Sequence, residues 1–461
     1  MMEATLAFTA SIQAALSSPL PPAPVTLLDG GSLSSVFAVS DLAQASIGVA
    51  GSSLASFVAL NTGNSPPEVI VDRSLASAWF AGSIKPQGWS LIPAWDAVAG
   101  DYACRDGWIR LHTNATRHRG AVLAVLDVPE DRAAVATAVS TWSAQALETA
   151  VVAAGGAAAA MRSISEWHVH EQGRAVAGEP LIWTQRTAVT ERRDASFEGV
   201  ERPLQRLRVL DLTRVLAGPV ATRLLAGWGA EVLRIDPPDW DEPAIAPEVT
   251  LGKRCARLDL RSSDGRGRFI ELLRSADVLV HGYRSDALGR LGFGEDVRDQ
   301  IRPGLVDVSL DAYGWTGPWR QRRGFDSLVQ MSSGIADAGR IASGGDQPRP
   351  LPVQALDQAA GYLMAAAAIT GLTQRRIDGT GSRWRTSLAR VADLLITTVP
   401  PQVPPAPSSP LATPDLAGPI ERTAWGDARR LSPPLVVRGS PLQWVLPARR
   451  LGSDRPQWRA A

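Results

Sequence analysis

The chain has 461 residues, with 47 Lys plus Arg against 46 Asp plus Glu. A net charge of +1 gives no electrostatic reason to expect a nucleic acid or an anionic membrane as partner. The length allows two or three domains with a sizeable core, and the 45% hydrophobic content is ordinary for a globular protein.

No run reaches the roughly 18 uninterrupted apolar residues of a membrane helix. The opening MMEATLAFTASIQAALSSPL carries no positive charge, so it lacks the n-region of a secretory signal. Cys104 and Cys255 match no zinc or redox spacing. The expectation is a cytoplasmic protein with reduced thiols. Nearly all positive charge is arginine, and the only lysines are Lys85 and Lys253.

In chain order, residues 1–30 end in SSPLPPAPV and read as a tail or linker. Residues 34–62 read as a long Ala/Ser/Val-rich helix, and PPEVIVDRSLA as a turn and strand. YACRDGWIRLHTN has the pattern of a strand pair around Asp106-Gly107, and helical spacing follows from Pro129. Residues 186–204 are charged and irregular and form the expected linker.

Another pattern starts at 205. RLRVLDL is a strand, AGPVATRLLAGWG a short helix with Pro219 near its first turn, and AEVLRID a second strand. Apolar strands bracketing a helix define a βαβ unit of a parallel sheet. The alternation continues through DGRGRFIELLRSA, DVLVHGY and LVDVSLDAY, so residues 205–392 are expected to form a doubly wound α/β domain. A ligand would sit beyond the carboxyl ends of the strands, at Thr213–Ala217, Asp236–Asp239, His281–Arg284 and Asp311–Gly317.

A long helix over 353–376 follows, then a Gly-rich turn and the strand RWRTSLA. This repeats the N-terminal arrangement: Asp41, a long helix, Thr62-Gly63, then Ser74-Leu75-Ala76, against Asp357, a long helix, Thr380-Gly381, then Ser387-Leu388-Ala389. Residues 393–461 are Pro-rich at their start and low in periodicity, so a surface-wrapping or partly disordered extension is expected.

The stretch PLPVQALDQAAGYLMAAAAITGL, 350–372, holds one carboxylate, Asp357. A buried carboxylate is costly unless paired or hydrogen-bonded. The residues alone allow two readings, a helix cap worth about 1 kcal/mol or a nucleophile.

Four blocks resemble the family III CoA-transferases, which also include carnitine-CoA transferase-like and α-methylacyl-CoA racemase proteins. They are RLRVLDLTRVLAGPVATRLLAGWGAEVLRIDPP, GKRCARLDLRSSDGRGRFIELLRSADVLVHGYRSDALGRLGFG, DVSLDAYGWTGPWRQRRGFDSLVQMSSG and LPVQALDQAAG. The resemblance implies a Rossmann-like doubly wound parallel-sheet domain, a smaller α+β domain and an interlaced homodimer. Residues 31–185 are similar to the family's second half, small domain included, here placed before a first half.

The implied activity is acyl-CoA:carboxylate CoA transfer, with acyl-CoA and a carboxylic acid as partners, coenzyme A as substrate, and no other cofactor. Asp357 falls at the family's nucleophile, and an aspartyl-CoA thioester is the implied intermediate. By the same resemblance Val215, Leu216 and Ala217 line the adenine or pantetheine, Lys253 and Arg290 meet phosphates, Arg254 stands beside Lys253, and Tyr283 stacks on adenine.

The alternatives are a racemase or isomerase of the same superfamily and an inactive CoA-binding protein. Phe325, in Arg323-Gly324-Phe325-Asp326, replaces the racemase branch's His and argues against a two-base mechanism. Leu356 stands where transferases often carry a small residue. Asp41 is the rival carboxylate, Asp326 reads as a structural Asp, and His281 as a pocket wall. His168 and His170 have no further ligands near them, and a zinc site wants three or four. Few ionic residues near 351–365 point to an apolar acyl group.

Overall fold

The computed structural model describes residues 2–189, 197, 199–285, 287–400 and 416–459. The N-terminal part runs α1 (Met2–Leu16), β1 (Val25–Leu28), α2 (Val39–Thr62), β2 (Val69–Asp72), α3 (Arg73–Ala81) and β3 (Ile84–Pro86). A small α+β domain follows: β4 (Gly100–Cys104), β5 (Gly107–Leu111), α4 (Thr116–Leu126), α5 (Arg132–Val139), α6 (Ala144–Ala153) and β6 (Ala158–Ala160). It has its own core, built on Val98, Ile109, Val122, Val135 and Leu147. Helices α7 (Ile164–Val169) and α8 (Glu171–Ala177) lead to β7 (Trp183–Val189).

The large domain begins with β8 (Arg208–Leu212), α9 (Ala217–Gly227), β9 (Glu231–Asp236), α10 (Ala246–Val249) and β10 (Lys253–Arg257). It continues with α11 (Ser263–Arg274), β11 (Val278–His281), α12 (Ala287–Arg290), α13 (Glu295–Ile301) and β12 (Val306–Asp311). Helices α14 (Asp326–Ser332), α15 (Ile335–Ser343) and α16 (Ala355–Asp378), strand β13 (Thr380–Ser387) and α17 (Leu388–Thr398) complete it. Strands β14 (Leu416–Thr423), β15 (Gly426–Leu431) and β16 (Leu435–Val437) close the chain.

The main sheet has the order β10-β9-β8-β11-β12-β13-β7. Its first six strands are parallel and β7 pairs antiparallel at the edge. Counted from β8, the parallel strands lie 3-2-1-4-5-6, the doubly wound order, whose crevice opens where the order reverses, between β8 and β11. Register explains the two covered faces. Val232, Val209, Val278 and Val306 are neighbours in one row, and they face the core shared with α9 and α16. Their chain neighbours Leu233, Leu210 and Leu279 point the other way, onto Phe269 and Leu272 of α11. Each fully buried Val or Leu of these rows contributes about 1.5–3 kcal/mol.

The repeat seen in the sequence is a repeat in path. β1 and β2 are parallel, as are β12 and β13. Helices α2 and α16 each have 24 residues, place Asp41 or Asp357 third, and end on a left-handed glycine, Gly63 (φ 72°) or Gly379 (φ 78°). The two helices pack along each other, and Phe80 stacks on Tyr362 with ring centroids 6.1 Å apart. By length and composition α2 could cross a membrane, but nearly all of it is buried inside the fold.

Three boundaries differ from those the sequence suggests. Residues 2–16 are not a tail: Thr5, Phe8, Ile12 and Leu16 form a helical stripe packed inside, on α2. The expected linker 186–204 overlaps β7, whose Arg186 and Thr187 suit an edge strand; residues 190–196 and 198 lie outside the described residues. The C-terminal extension is built into the fold: α17 crosses its start, β15 pairs with β3, and β16 pairs with β2. Those short strands find their partners more than 300 residues away, so no local periodicity announces them. Most of the Pro-rich run, 401–415, lies outside the described residues.

Candidate active site

Two cavities open at the switch point and meet at Asp357. The first, about 420 Å³, is walled by Ile92, Trp95 and His112 of the small-domain region and by Leu216, Trp240, Ile245 and Phe325 of the large domain. The second, about 380 Å³, runs over Thr213–Val215, Asp239, Gly282–Arg284 and Asp311, which follow β8, β9, β11 and β12. Val215, Trp240, Phe325 and Asp357 border both. The strand-end segments singled out in the sequence are therefore brought together here, although His281 is not on either wall: it lies buried with Nε2 3.3 Å from Asp307 Oδ1.

Asp357 is the third residue of α16, and Gln354 occupies the N-cap position without a side-chain cap. The cap role belongs to Asp326. Its Oδ2 accepts the backbone N–H of Asp357 at 2.9 Å, while Gln330 Nε2 donates to its Oδ1. The Asp357 carboxyl is thus left to face the cavities. Burial first, then the neighbouring Asp326 charge, pushes its pKa well above the usual carboxylate range. Burial pushes Asp326 up too, against the hydrogen bonds it accepts. Gly361, one turn further along α16, lets the helix reach α9: a Cβ there would stand 2.5 Å from the Ala217 carbonyl oxygen. Leu356 points away into the core.

The loop entering α9 is held under strain. Val215 has φ 62°, a left-handed conformation that a β-branched residue rarely adopts. Its N–H donates to Glu242 Oε1 at 2.6 Å, and Glu242 is in turn bound by Arg234. Asp211 organises the same loop by accepting from Thr213 and Thr222.

This arrangement corrects the place given to Lys253. Its Nζ is fully buried, 3.0 Å from Asp211 Oδ2 and 2.9 Å from the Pro219 carbonyl oxygen, beneath the loop rather than on a cavity wall. Burial lowers its pKa to about 8. Arg254 is also turned away, donating to the Gln457 carbonyl of the C-terminal segment. Arg290 is exposed on α12 and borders neither cavity, though its charge reaches Arg284. Val215, Leu216, Ala217 and Tyr283 do lie on cavity walls.

The positive charge of the second cavity comes from arginines to which the sequence reading gave no phosphate role, although Arg214 and Arg284 fall within its strand-end segments. Arg117, Arg214, Arg284 and Arg323 border it, and none makes an ion pair among the described residues. Burial and mutual repulsion lower Arg117, Arg284 and Arg323 below the ordinary guanidinium value. Arg214 donates to the Tyr283 hydroxyl and lies over the Trp240 ring. Asp311 at the same wall is pushed up to about 8, chiefly by burial. Uncompensated guanidinium groups around a cleft favour a polyanion. Their signal in the sequence was scattered over four segments, one of them in the small domain.

His112 was also missed. It lies flat on Phe325, ring centroids 3.6 Å apart at 4°, and burial lowers its pKa to about 3. His118 meets the same Phe325 edge-on. Asp41, by contrast, is closed off. Arg73 grips both its oxygens at 2.9 and 2.8 Å and Thr5 donates to Oδ1. His170 accepts the Gln172 N–H at the start of α8. Among the described residues no group of three or more His, Cys, Asp or Glu is placed to hold a metal ion.

Residues 204–406 match the family described as CoA-transferase family III. The match covers somewhat under half of the chain. Three relatives share it in part. The chain is 31% identical over 218 residues to an acyl-CoA transferase of Fusarium pseudograminearum, covering 42% of this chain and 46% of the relative. It is 32% identical over 222 residues to succinyl-CoA:glutarate CoA-transferase of Mus musculus (45% and 49% covered). It is 31% identical over 192 residues to acetyl-CoA:oxalate CoA-transferase of Acetobacter aceti (39% and 49% covered). The chain spans about half the length of these curated relatives.

Proposed function

We propose that the chain is an acyl-CoA:carboxylate CoA-transferase with Asp357 as its nucleophile. The observation that carries this reading is the position of Asp357 between an apolar cavity and an arginine-lined one. A thioester joins an acyl group to a polyanionic carrier, and such a molecule laid across both cavities brings its carbonyl carbon to that junction.

In the first step the Asp357 carboxylate attacks the thioester carbonyl, the C–S bond breaks, and a mixed anhydride and CoA thiolate result. The thiolate attacks the aspartyl carbonyl, releases the donor acid and leaves an aspartyl-CoA thioester. The acceptor carboxylate attacks that thioester, giving a second anhydride and the thiolate. Attack of the thiolate on the acceptor's acyl carbon forms the new acyl-CoA and frees Asp357. The guanidinium groups of Arg117, Arg214, Arg284 and Arg323 serve the phosphates in place of Lys253. Hydrogen bonds from the α16 backbone to Asp326 hold Asp357 in position. Burial and the Asp326 charge raise the Asp357 pKa, so the carboxylate that attacks, and transfer with it, increases as pH rises.

The test is CoA exchange between acyl-CoA donors and free acids, followed by mass spectrometry. The wild type should form the acceptor's thioester and Asp357→Asn should not. Undiminished exchange by the variant would overturn the assignment. One observation favours a second reading: the neutral His112 imidazole shares the apolar cavity with Asp357, as a base for racemisation at the α-carbon would. Deuterium uptake at that carbon from D2O would distinguish it.

A further inference from the structure

The apolar cavity carries information about the acyl group. Among the described residues no Lys or Arg lies on its wall, and its charged members, Asp96, Asp241, Glu242, Asp326 and Asp357, are all carboxylates. Most of them are engaged within the fold: Asp96 accepts from Val98, Ala99 and Thr113, Glu242 from Val215 and Arg234, and Asp326 from Asp357. The remaining wall is aromatic and aliphatic. Two of its members, Ile92 and Trp95, are 51% and 36% exposed at the mouth, although both are large and apolar. The same loop carries Leu91, 41% exposed. Exposed apolar groups gathered at the mouth of an apolar cavity mark surface that a ligand covers.

From these walls we infer that the site selects uncharged, apolar acyl groups and rejects acyl groups that end in a second carboxylate. The inference rests on the proposed thioester site. A terminal carboxylate in this cavity would lose water, find no cation on the wall itself to pair with and face carboxylates, and each of the three opposes binding; the Arg110 and Arg214 guanidinium groups are stacked on the Trp95 and Trp240 rings. An alkyl or aryl group would instead bury Ile92, Trp95, Trp240 and Phe325. The chain would thus differ in donor class from the relative whose name gives succinyl-CoA as the donor. Specificity of this kind is imposed by an unfavourable contact for the wrong ligand as much as by a good one for the right ligand.

The experiment compares binding of two CoA thioethers, which have no carbonyl and cannot transfer: S-hexyl-CoA and S-(3-carboxypropyl)-CoA, titrated calorimetrically into the full chain. S-hexyl-CoA should bind at least about tenfold more tightly, because the alternative desolvates an unpaired carboxylate. Ala94→Arg places a guanidinium at the exposed rim of the cavity. It should narrow that ratio by strengthening the carboxypropyl ligand more than S-hexyl-CoA. Equal or tighter binding of S-(3-carboxypropyl)-CoA to the wild type would overturn the inference, as would a ratio unmoved by Ala94→Arg. Because neither ligand reacts, this result stands apart from the CoA-exchange assay. A transferase that prefers succinyl-CoA would retain the proposed function and lose the selectivity. A chain that binds S-hexyl-CoA selectively without exchanging CoA would do the reverse.

Discussion

Helices α2 and α16 have the same length, the same glycine end and an aspartate at the same step, yet their carboxylates have opposite surroundings. Asp41 is saturated by Arg73 and Thr5. Among the described residues Asp357 has no guanidinium partner; it faces open cavity, and the neighbouring carboxylate of Asp326 takes the backbone hydrogen bond. The difference traces to the residue before each Ser-Leu-Ala, Arg73 in the first path and Thr386 in the second. Thr386 donates to the Leu181 carbonyl and carries no charge. One aspartate is therefore held by its partners inside the fold, whereas the other opposes folding once ionised and is available for chemistry. Reactivity here depends on what a carboxylate is not bonded to.

The sharpest way to break this contrast is to exchange oxygen for nitrogen at each aspartate. Asp357→Asn should lower transfer at least about a thousandfold, as loss of a covalent nucleophile does, while Asp41→Asn should leave the rate of the folded protein near wild type. The stability effects should run the other way. Arg73→Ala leaves the buried Asp41 uncompensated and should cost about 3–5 kcal/mol in urea unfolding; a loss below about 1 kcal/mol, the scale of an exposed pair, would show that water reaches the site.

A third expectation concerns pH. The folded pKa of Asp357 is raised, so this group favours the native state most below its unfolded value of about 4 and opposes it as pH rises through the folded pKa. Asn at 357 carries no such penalty. The gain in melting temperature from Asp357→Asn should therefore grow between pH 5 and pH 8; a constant gain would mean the carboxyl is already ionised at the low end. The smallest effect belongs to Asp326→Asn, which keeps an acceptor for the Asp357 N–H but removes the neighbouring charge. It should shift the midpoint of the pH–rate profile to lower pH with a modest change in the limiting rate.

Much of the large domain was legible because its strands are short, apolar and joined locally, so Val209, Leu210, Val232 and Leu233 announce both faces of a parallel sheet. The four strand-end segments were legible for the same reason, whereas the role of Asp357 came from the family resemblance, because its residues alone also allowed a helix cap. What failed were contacts between distant segments. Lys253 was expected by resemblance to meet a phosphate, and nothing adjacent in sequence shows that Asp211 lies beneath the loop to receive it. Arg117 and His112 belong to the small domain, and only folding carries them to a cavity otherwise built from residues beyond 205. The stripe Thr5, Phe8, Ile12, Leu16 is interspersed with Ala and Thr, so its periodicity is faint, and β16 is defined by a partner strand in the N-terminal half.

The most direct measurement is to incubate the protein with an acyl-CoA, trap the product with borohydride or hydroxylamine, and map the modified peptide by mass spectrometry. The account requires a modification on Asp357 and none on Asp41. A modification on Asp41, or an unmodified Asp357 in protein that binds the acyl-CoA, would contradict it.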